Sequence, residues 1–425
     1  MKIIVLSENV SLRMGGESLT PYYYIRHLLN RGVDIQIVTH ARVRKEIEDL
    51  YADDEEALDR FHFISYSTEQ RWFWRMYNVL PAKMTGQGLI SSQISHLLSM
   101  RKARAILQDL TAQGYELIWQ PIPISPRFLS VRFNLGIPEV LGPLAGGMFF
   151  PPGFQFMESR FVQVRQAIGR AIASPVHYLS PGKLRAEALI VANERAEQAL
   201  PAGVRGQIYT GITDGGVDLD EWSLKEEQEH AGPVRFIFVG RFVPLKGVLY
   251  LVQAFIEILD QVDAVLELVG DGEMRPQIEA AVQRAQAGSR IIFHGWQSRQ
   301  GTRELVCSSD VFVLPSVHDC GGHVILEAMA VGKPIITVDW GGPGEYVTDE
   351  CGILIDPGTP ETLVADLGKA MLRIARDQEL RQRMGKAGFR RVQAGCYDWG
   401  TKTDKILKIL QEVHGHWCSQ AKKNS

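Results

Sequence analysis

The same alternation of strand and helix begins twice in this chain, and this repetition constrains the fold more than any other feature. The first start is an apolar run at 2–8, a glycine-containing turn, an amphipathic helix that Gly32 ends, and a second strand. The second start is VRFIFVGR at 234–241, followed by a helical stretch and the strand AVLELVGDG. Each start has the pattern of a βαβ unit. Two such units predict an α/β fold with two doubly wound domains.

The length of the chain agrees with two domains, because 425 residues exceed what one hydrophobic core usually holds. The segment 209–233 mixes Gly, Asp and a charged run, which is typical of a connector. We therefore predict a first domain over 1–215 and a second domain over 216–396. The amphipathic C-terminal helix, within 397–425, is expected to pack back on the first domain.

Composition excludes several classes of protein. A formal net charge of -3 offers no general basic field for nucleic acid. The first ten residues contain only four consecutive apolar residues, fewer than the roughly 7 to 15 of a signal sequence. No stretch approaches the roughly 18 apolar residues of a membrane span. The five cysteines are scattered and never in a CxxC spacing, so we expect neither a disulfide framework nor a thiolate zinc site, and a cytoplasmic location.

Two segments of the first half allow two interpretations each. The run RWFWRMY at 71–77 interleaves Arg with aromatic residues, which favours peripheral contact with a membrane surface and is equally typical of a helix with aromatic core contacts. The run GPLAGGMFFPPGF at 142–154 is rich in Gly and Pro. This composition fits a plain connecting loop, and the segment also resembles an acceptor-side loop of similar enzymes.

Asp319 and Glu327 lie on either side of a Gly-Gly turn that joins a predicted strand to a predicted helix. The strand, DVFVLPSV at 310–317, is apolar and rich in β-branched residues, and HVILEAMA after the glycines has helical spacing. A strand end, a glycine turn and a helix start bring backbone N–H groups and the positive helix end to one place, which suits a phosphate. Carboxylates beside that place can hold sugar hydroxyls.

Two glycines follow the first strand of the first predicted domain, and two cations follow the first strand of the second. Arg241 and Lys246, in GRFVPLKG, can clamp a diphosphate, or they can belong to a solvated basic loop. Gly15 and Gly16 let the backbone approach a phosphate, or they simply form a turn, and the GxGxxG dinucleotide pattern is absent. Because ligands of such folds bind outside the carboxyl ends of strands, we expect the active site in a cleft between the domains.

The chain resembles the GT-B glycosyltransferases of the large retaining family 4, of the group 1 type, over nearly its full length. The similar segments, in the order of that family, are MGGESLTPYYYIRHLLNRGVDIQIVT, GGVDLDEW, VGRFVPLKG, LVGDGEMRPQIE, IIFHGW and SSDVFVLPSVHDCGGHVILEAMAVGKPIITVDWGGPGEYV. The resemblance implies two Rossmann-like domains that face a cleft. It also implies a nucleotide-sugar donor as co-substrate, with no cofactor and no required metal.

The resemblance also assigns roles to residues. Asp319, which stands where the family usually has Glu, faces the transferred sugar, and Glu327 binds the ribose. Asp319, Arg241 and Lys246 are the implied catalytic residues. The implied donor-binding residues are Gly15, Gly16, Arg241, Lys246, Gly295, Trp296, Asp319, Gly321, Gly322, His323, Val324 and Glu327.

Other polar positions have a simpler interpretation or depart from the pattern of the family. Asp218 and Asp220 form a DxD, which binds metal in a different glycosyltransferase fold, but here it lies where the family has a Gly-Val-Asp turn. In the family, the residue at the position of His323 contributes its backbone N–H. The family often has a His after a middle strand of the first domain, whereas the strand YELIWQ ends in Gln120.

The function that the resemblance implies is retaining transfer of a hexose from a nucleoside diphosphate sugar, with UDP-glucose as the leading donor. The acceptor is a hydroxyl of a glycan or lipid-linked oligosaccharide, in polysaccharide or glycolipid biosynthesis. Two alternatives stay open: a GT-B sugar-nucleotide hydrolase or epimerase, and a protein that binds a sugar nucleotide without turning it over. UDP release measured with and without candidate acceptors separates the three.

Overall fold

The computed structural model describes residues 1–66, 87–123, 125–158, 177–178, 180–223 and 232–424. The aromatic and basic run at 71–77 lies outside these residues, and so does the charged segment 224–231 of the predicted connector. In the part of the chain that the structure describes, no helix is long and apolar enough to cross a membrane.

The chain folds as two compact units. The first comprises Met1–Gly147, Arg160–Asp214 and Trp399–Ser425, and the second comprises Met148–Ser159 and Gly215–Asp398.

One segment lies in a different unit from the one predicted, because residues 148–158 belong to the second unit and not to the first. Phe154 gives the physical reason: its fully buried ring lies in the core of the second unit, 5.7 Å from the ring of Tyr250. The indole N–H of Trp340 also donates to the carbonyl of Phe149 at 2.8 Å.

Within the described residues, the first unit contains a sheet of seven strands in the order β3-β2-β1-β4-β5-β6-β7, with every neighbouring pair parallel. The strands are β1 Ile3–Leu6, β2 Ile35–His40, β3 Phe61–Ile64, β4 Leu117–Gln120, β5 Glu139–Leu144, β6 Ala188–Val191 and β7 Gln207–Thr210. Ile3 and Val5 pack into one hydrophobic cluster, and Ile4 and Leu6 pack into another. Since successive side chains of a strand point to opposite faces, both faces of this sheet are covered.

The described part of the second unit contains a parallel sheet of six strands in the order β10-β9-β8-β11-β12-β13. The strands are β8 Val234–Val239, β9 Ala264–Val269, β10 Ile291–Gly295, β11 Val311–Leu314, β12 Ile335–Val338 and β13 Gly352–Ile355. All four residues of β11 are fully buried, as its β-branched and apolar sequence predicts.

The helices connect these strands. Their bounds are α1 Gly16–Asn30, α2 Arg44–Leu50, α3 Glu55–Leu58, α4 Gln87–Ala112, α5 Gly182–Arg185, α6 Glu194–Gln198, α7 Val248–Ile258, α8 Arg275–Arg284, α9 Arg299–Ser308, α10 His323–Ala330, α11 Gly341–Tyr346, α12 Pro360–Arg376, α13 Gln378–Ala394 and α14 Trp399–Asn424. Short 3-10 turns occupy Ala41–Val43, Pro152–Met157 and Pro244–Lys246.

The last helix, α14, packs on α1 within the first unit. The ring of Trp399 stacks on the ring of Tyr23 at a centroid distance of 5.3 Å, and both side chains are fully buried. At the C-terminal end of α1, Arg31 forms an ion pair with Asp404 at 2.7 Å. The buried aromatic pair explains why the C-terminal helix belongs to the first unit although it follows the second in the chain.

Each sheet has a point at which the strand order reverses. In the first sheet this point lies between β1 and β4, and in the second it lies between β8 and β11. In open α/β sheets, the crevice outside the carboxyl ends of the strands at such a point is the usual ligand position. The segments that follow β8 and β11 are therefore expected to form a binding site in the second unit.

Candidate functional site

Lys246 and Asp319 form an ion pair between the segments that follow β8 and β11. The ammonium of Lys246 donates to Oδ2 of Asp319, and the two side chains are 17% and 13% exposed. The two segments are tied together by the carbonyl of Leu245, which accepts from the backbone N–H of Val317 at 3.0 Å and from the hydroxyl of Ser316 at 3.1 Å. The pair therefore lies on a fixed part of the fold.

Gly247 permits this close approach of the two segments. Its backbone has φ +69°, in the left-handed region, and a Cβ there would lie 2.1 Å from the carbonyl oxygen of Pro315. A side chain would both strain the backbone and force the segments apart. A glycine is therefore required after Lys246 for the two segments to approach closely enough for Lys246 to reach Asp319.

Asp319 stays ionised although it is largely buried. Burial would raise the pKa of Asp319, but the charge and hydrogen bond of Lys246, the backbone N–H of Gly322 and the charge of His323 hold it below its ordinary value. The N–H of Gly322 donates to Oδ1 of Asp319 at 3.2 Å. One carboxylate oxygen is therefore bound by a cation and the other by the glycine turn.

The Gly-Gly turn leads directly into α10. Gly322 is the N-cap residue, with φ +53°, and makes no side-chain cap. The first N–H groups of a helix have no partner within the helix, so the positive end of α10 opens beside Asp319. His323 and Val324 are the first two residues of the helix, and the preceding glycine Gly321 is buried in the turn.

Arg241 is the second cation of this region. It lies just after β8, it is exposed, and among the described residues its guanidinium makes no hydrogen bond or ion pair. Lys246 can also do more than neutralise Asp319, because an ammonium has three donors. The region after β8 can therefore bind an anion with groups that the fold has not already used.

Glu327 lies on α10 and pairs with a residue that the sequence did not single out. Nη2 of Arg299 donates to Oε1 of Glu327 at 3.2 Å, and Nε of Arg299 donates to Oε2 of Glu221 at 2.7 Å. Burial raises the pKa of Glu327, the charge of Arg299 opposes that rise, and the charge of Glu221 adds to it. No spacing rule marks Arg299, because it is an ordinary charged residue at the start of a helix.

The remaining predicted donor residues lie in two places. Gly295 ends β10 with φ +64°, and Trp296, which follows it, is 67% exposed. Gly15 and Gly16 lie in the first unit, where Gly15 caps α1 with φ +102°. Their roles in binding the donor stay predictions.

The DxD residues cap their own loop. Oδ1 of Asp218 accepts from the backbone N–H groups of Asp220 at 3.0 Å and Glu221 at 3.4 Å, which is the turn-forming role expected from its position. Among the described residues, no group of three or more His, Cys, Asp or Glu side chains is arranged to hold a metal ion. Gln120 is the last residue of β4 and is buried.

The second unit is similar to proteins of one known family. Residues 220–391 match the family described as glycosyl transferases, group 1. A similar curated protein is the lipopolysaccharide core biosynthesis glycosyltransferase LpsE of Rhizobium meliloti (strain 1021), 32% identical over 173 residues, which are 40% of this chain and 48% of LpsE. The chain spans about half the length of the curated relatives that it matches.

Solved structures extend the similarity to both units. Sucrose-phosphate synthase from Thermosynechococcus elongatus has a TM-score of 0.64 at 19% identity, over 98% of this chain and 100% of that chain. Anabaena HepE in complex with UDP has a TM-score of 0.64 at 16% identity, over 97% and 100%. The same protein in complex with UDP-glucose gives a TM-score of 0.61. At these identities the likeness shows the fold, and the predicted GT-B fold class is confirmed.

Proposed function

We propose that this chain, which matches the group 1 glycosyltransferase family over residues 220–391, transfers a hexose from a nucleoside diphosphate sugar to an acceptor hydroxyl. UDP-glucose is the leading donor, and the acceptor is a glycan or a lipid-linked oligosaccharide. The transfer retains the configuration of the anomeric carbon, as the resemblance to family 4 implies. No metal ion takes part.

The observation that carries this proposal is the ion pair of Lys246 and Asp319 at the strand-order reversal of the second sheet. Beside it lie an exposed cation, Arg241, and the uncapped start of α10. A site that binds a sugar diphosphate needs cations for the phosphates and a carboxylate for the sugar hydroxyls. Both kinds of group are present here, and the carboxylate is kept ionised by the same lysine that can reach a phosphate.

The chemical step is a substitution at the anomeric carbon. The acceptor oxygen forms a bond to this carbon while the bond from the carbon to the β-phosphate oxygen breaks, and the acceptor proton passes to a phosphate oxygen. Negative charge grows on the leaving diphosphate, where Arg241, Lys246 and the start of α10 stabilise it. Asp319 orients the sugar and forms no covalent bond to it, so catalysis depends on positioning and on charge.

Magnitudes decide which of these groups matters most. A helix N-terminus contributes about 0.3 to 1 kcal/mol, and up to about 2 kcal/mol when partly buried. Removal of one preorganised donor at a developing anion lowers turnover by about 100 to 1,000-fold, which is about 2.7 to 4 kcal/mol. We therefore assign the larger share of the stabilisation to the two cations.

Two comparisons support the choice of substrates. HepE, a structural neighbour of this chain, binds UDP and UDP-glucose. LpsE, a relative of the second unit, is a glycosyltransferase of lipopolysaccharide core biosynthesis. These names support a uridine nucleotide donor and a glycan acceptor.

The test is a panel of sugar nucleotides incubated with the purified protein, with and without candidate acceptors. We expect UDP release from one donor to rise on addition of an acceptor, and mass spectrometry to find the acceptor heavier by one hexose. Equal UDP release without any acceptor would instead identify a hydrolase. Binding of a sugar nucleotide without turnover would identify a binding protein, and absence of any binding would refute the proposal.

A further inference from the structure

Arg299 connects two carboxylates, and only one of them belongs to the predicted donor site. Its Nε donates to Glu221 at 2.7 Å and its Nη2 donates to Glu327 at 3.2 Å. Arg299 is the first residue of α9, and the hydroxyl of Ser298 caps that helix at 3.1 Å. The guanidinium is therefore held by its helix and oriented by two partners.

We propose that Arg299 is a positioning residue that orients Glu327 and maintains its negative charge for binding of the donor ribose, and that Glu221 competes for the same guanidinium. The inference rests on the proposed function, because it takes Glu327 as the group that accepts hydrogen bonds from the ribose hydroxyls. It adds a residue to the site that no sequence motif includes.

The burial of Glu327 makes such a partner necessary. Glu327 is only 7% exposed, and an isolated carboxylate in such a place favours its neutral form. A neutral carboxyl group keeps a proton on one oxygen and accepts hydrogen bonds more weakly than a carboxylate does. A ribose diol, which donates two hydrogen bonds, is best bound by the ionised form.

The charges around Glu327 have opposing effects. Burial raises its pKa, Arg299 lowers it by charge and by a hydrogen bond, and Glu221 raises it. One turn earlier on α10, His323 acts on the pKa of Asp319. Loss of Arg299 should therefore raise the pKa of Glu327 further, whereas loss of the charge of Glu221 should lower it.

The ion pair of Arg299 with Glu221 is unsuited to a purely structural role. The side chains of Arg299 and Glu221 are 35% and 33% exposed, and ion pairs of this exposure contribute little to stability. The pair with Glu327 is more buried, because Glu327 is almost fully enclosed by the protein. Loss of Arg299 leaves the buried carboxylate of Glu327 without its cation, so thermal unfolding of the variant is measured beside ligand binding.

The experiment measures dissociation constants of UDP and of 2′,3′-dideoxyuridine diphosphate by calorimetry. We expect Arg299→Ala to weaken binding of UDP by about tenfold, in line with loss of one charge-assisted hydrogen bond, and to leave binding of the dideoxy compound unchanged. Arg299→Lys should restore part of the affinity, because an ammonium keeps the charge but not the fork of the guanidinium. Glu221→Gln should bind UDP at least as tightly as the natural protein.

The pH dependence provides a second readout. With Arg299 removed, the raised pKa of Glu327 lets the neutral form persist to higher pH. The ratio of UDP dissociation constants, variant over natural protein, should therefore grow as the pH is lowered from about 8 to about 6. The titration of UDP itself cancels in this ratio.

Arg275 offers a matched control, since it also bridges two carboxylates, Asp271 at 3.0 Å and Glu279 at 2.8 Å, and is 31% exposed. Arg275→Ala should leave the affinity for both nucleotides unchanged. The inference is overturned if Arg299→Ala binds UDP normally, or if it loses affinity equally for the dideoxy compound. A natural protein that binds no UDP overturns the proposed function, and the inference with it.

Discussion

The carboxyl edges of the two sheets carry different kinds of polar group. In the second unit, the two acids of the predicted site each have a cation, since Lys246 pairs with Asp319 and Arg299 pairs with Glu327. In the first unit, Glu8 follows β1 and pairs with His96 at 2.6 Å. Several other buried polar atoms at that edge have no hydrogen-bond partner among the described residues: Oε1 of Glu8, Oδ1 of Asn9, Nε2 of His40, Nε2 of His96 and Nε2 of Gln120.

This difference shows that the position of a sheet edge in the fold does not determine which polar side chains lie there. Both edges lie where an α/β sheet usually binds ligands. At the second edge a lysine and an arginine donate hydrogen bonds to the acids, whereas at the first edge the hydrogen-bond partner of Glu8 is His96, and Arg42 lies 3.6 Å from Oε1 of Glu8. At the first edge, burial and the charge of Arg42 lower the pKa of His40 to about 4, so His40 is neutral near pH 7. Substitutions at the second edge should therefore change turnover, and those at the first should change the pH dependence of stability.

The largest expected effect is that of Lys246→Ala. It removes a donor at the developing diphosphate charge and should lower turnover by about 100 to 1,000-fold at saturating donor. Steady-state kinetics of UDP release check this. Near-normal turnover would show that the ion pair at the second edge is structural.

Loss of Lys246 also leaves Asp319 buried without its cation, so the fold needs its own check. The double variant Lys246→Ala with Asp319→Asn removes the unpaired charge and should recover thermal stability without recovering turnover. Lys369→Ala serves as the control, because Lys369 is 76% exposed and, among the described residues, pairs only with Asp366. It should behave as the natural protein.

The next effect concerns Glu8 at the first edge. Burial alone would raise the pKa of Glu8, but the hydrogen bond and charge of His96, the hydroxyl of Ser99 and the charge of Arg42 lower it to about 2. A lowered carboxyl pKa gives stability that is present above the ordinary pKa of 4.5 and is lost as the pH falls through about 2. The stability advantage of the natural protein over Glu8→Gln should shrink by roughly 2 kcal/mol between pH 6 and pH 3.

Urea unfolding of the two proteins at several pH values measures this difference. Neutral His40 adds a loss of stability as the pH falls from 6.5 through about 4. This loss is larger in Glu8→Gln, because the charge of Glu8 raises the pKa of His40, and it partly offsets the expected change. Glu56→Gln is the control, because Glu56 is 86% exposed and pairs only with Arg60 within the part of the chain that the structure describes. A constant difference across the pH range would mean that His96 does not hold Glu8 ionised.

Local sequence patterns predicted the frame of the second site well. The apolar run 310–317 contains β11, and HVILEAMA forms α10 from its first to its last residue. Lys246 and Asp319, chosen from two separate motifs, form one ion pair. These predictions succeeded because burial periodicity and glycine turns are properties of neighbouring residues, and parallel strands then align their carboxyl ends.

The remaining features depend on contacts between distant residues. Arg299 and Glu327 are 28 positions apart, and Glu8 and His96 are 88 positions apart. No local sequence pattern predicts that two helices approach each other, or that the end of a strand approaches a helix. The assignment of 148–158 failed for the same reason, since a Gly- and Pro-rich loop has no periodicity and only the burial of Phe154 fixes its unit.

The smallest expected effect concerns the charge that neutralises the diphosphate at the second edge. It tests whether lysine and arginine side chains provide this charge or a metal ion does. If Asp218 and Asp220 held a metal, Asp220→Ala would abolish turnover and a chelator would do the same. We instead expect Asp220→Ala to leave turnover unchanged, with or without EDTA, because Asp220 is exposed and contributes only its backbone N–H to the turn.

Asp218→Ala provides the contrast, since it removes the carboxylate that accepts from two backbone N–H groups and should lower stability by about 1 kcal/mol. Thermal unfolding and UDP release measure the two effects separately. Loss of turnover in Asp220→Ala that added Mn²⁺ restores would assign the neutralising charge to a metal. The second sheet edge would then differ from the first because it binds a metal ion, and not because its acids pair with lysine and arginine side chains.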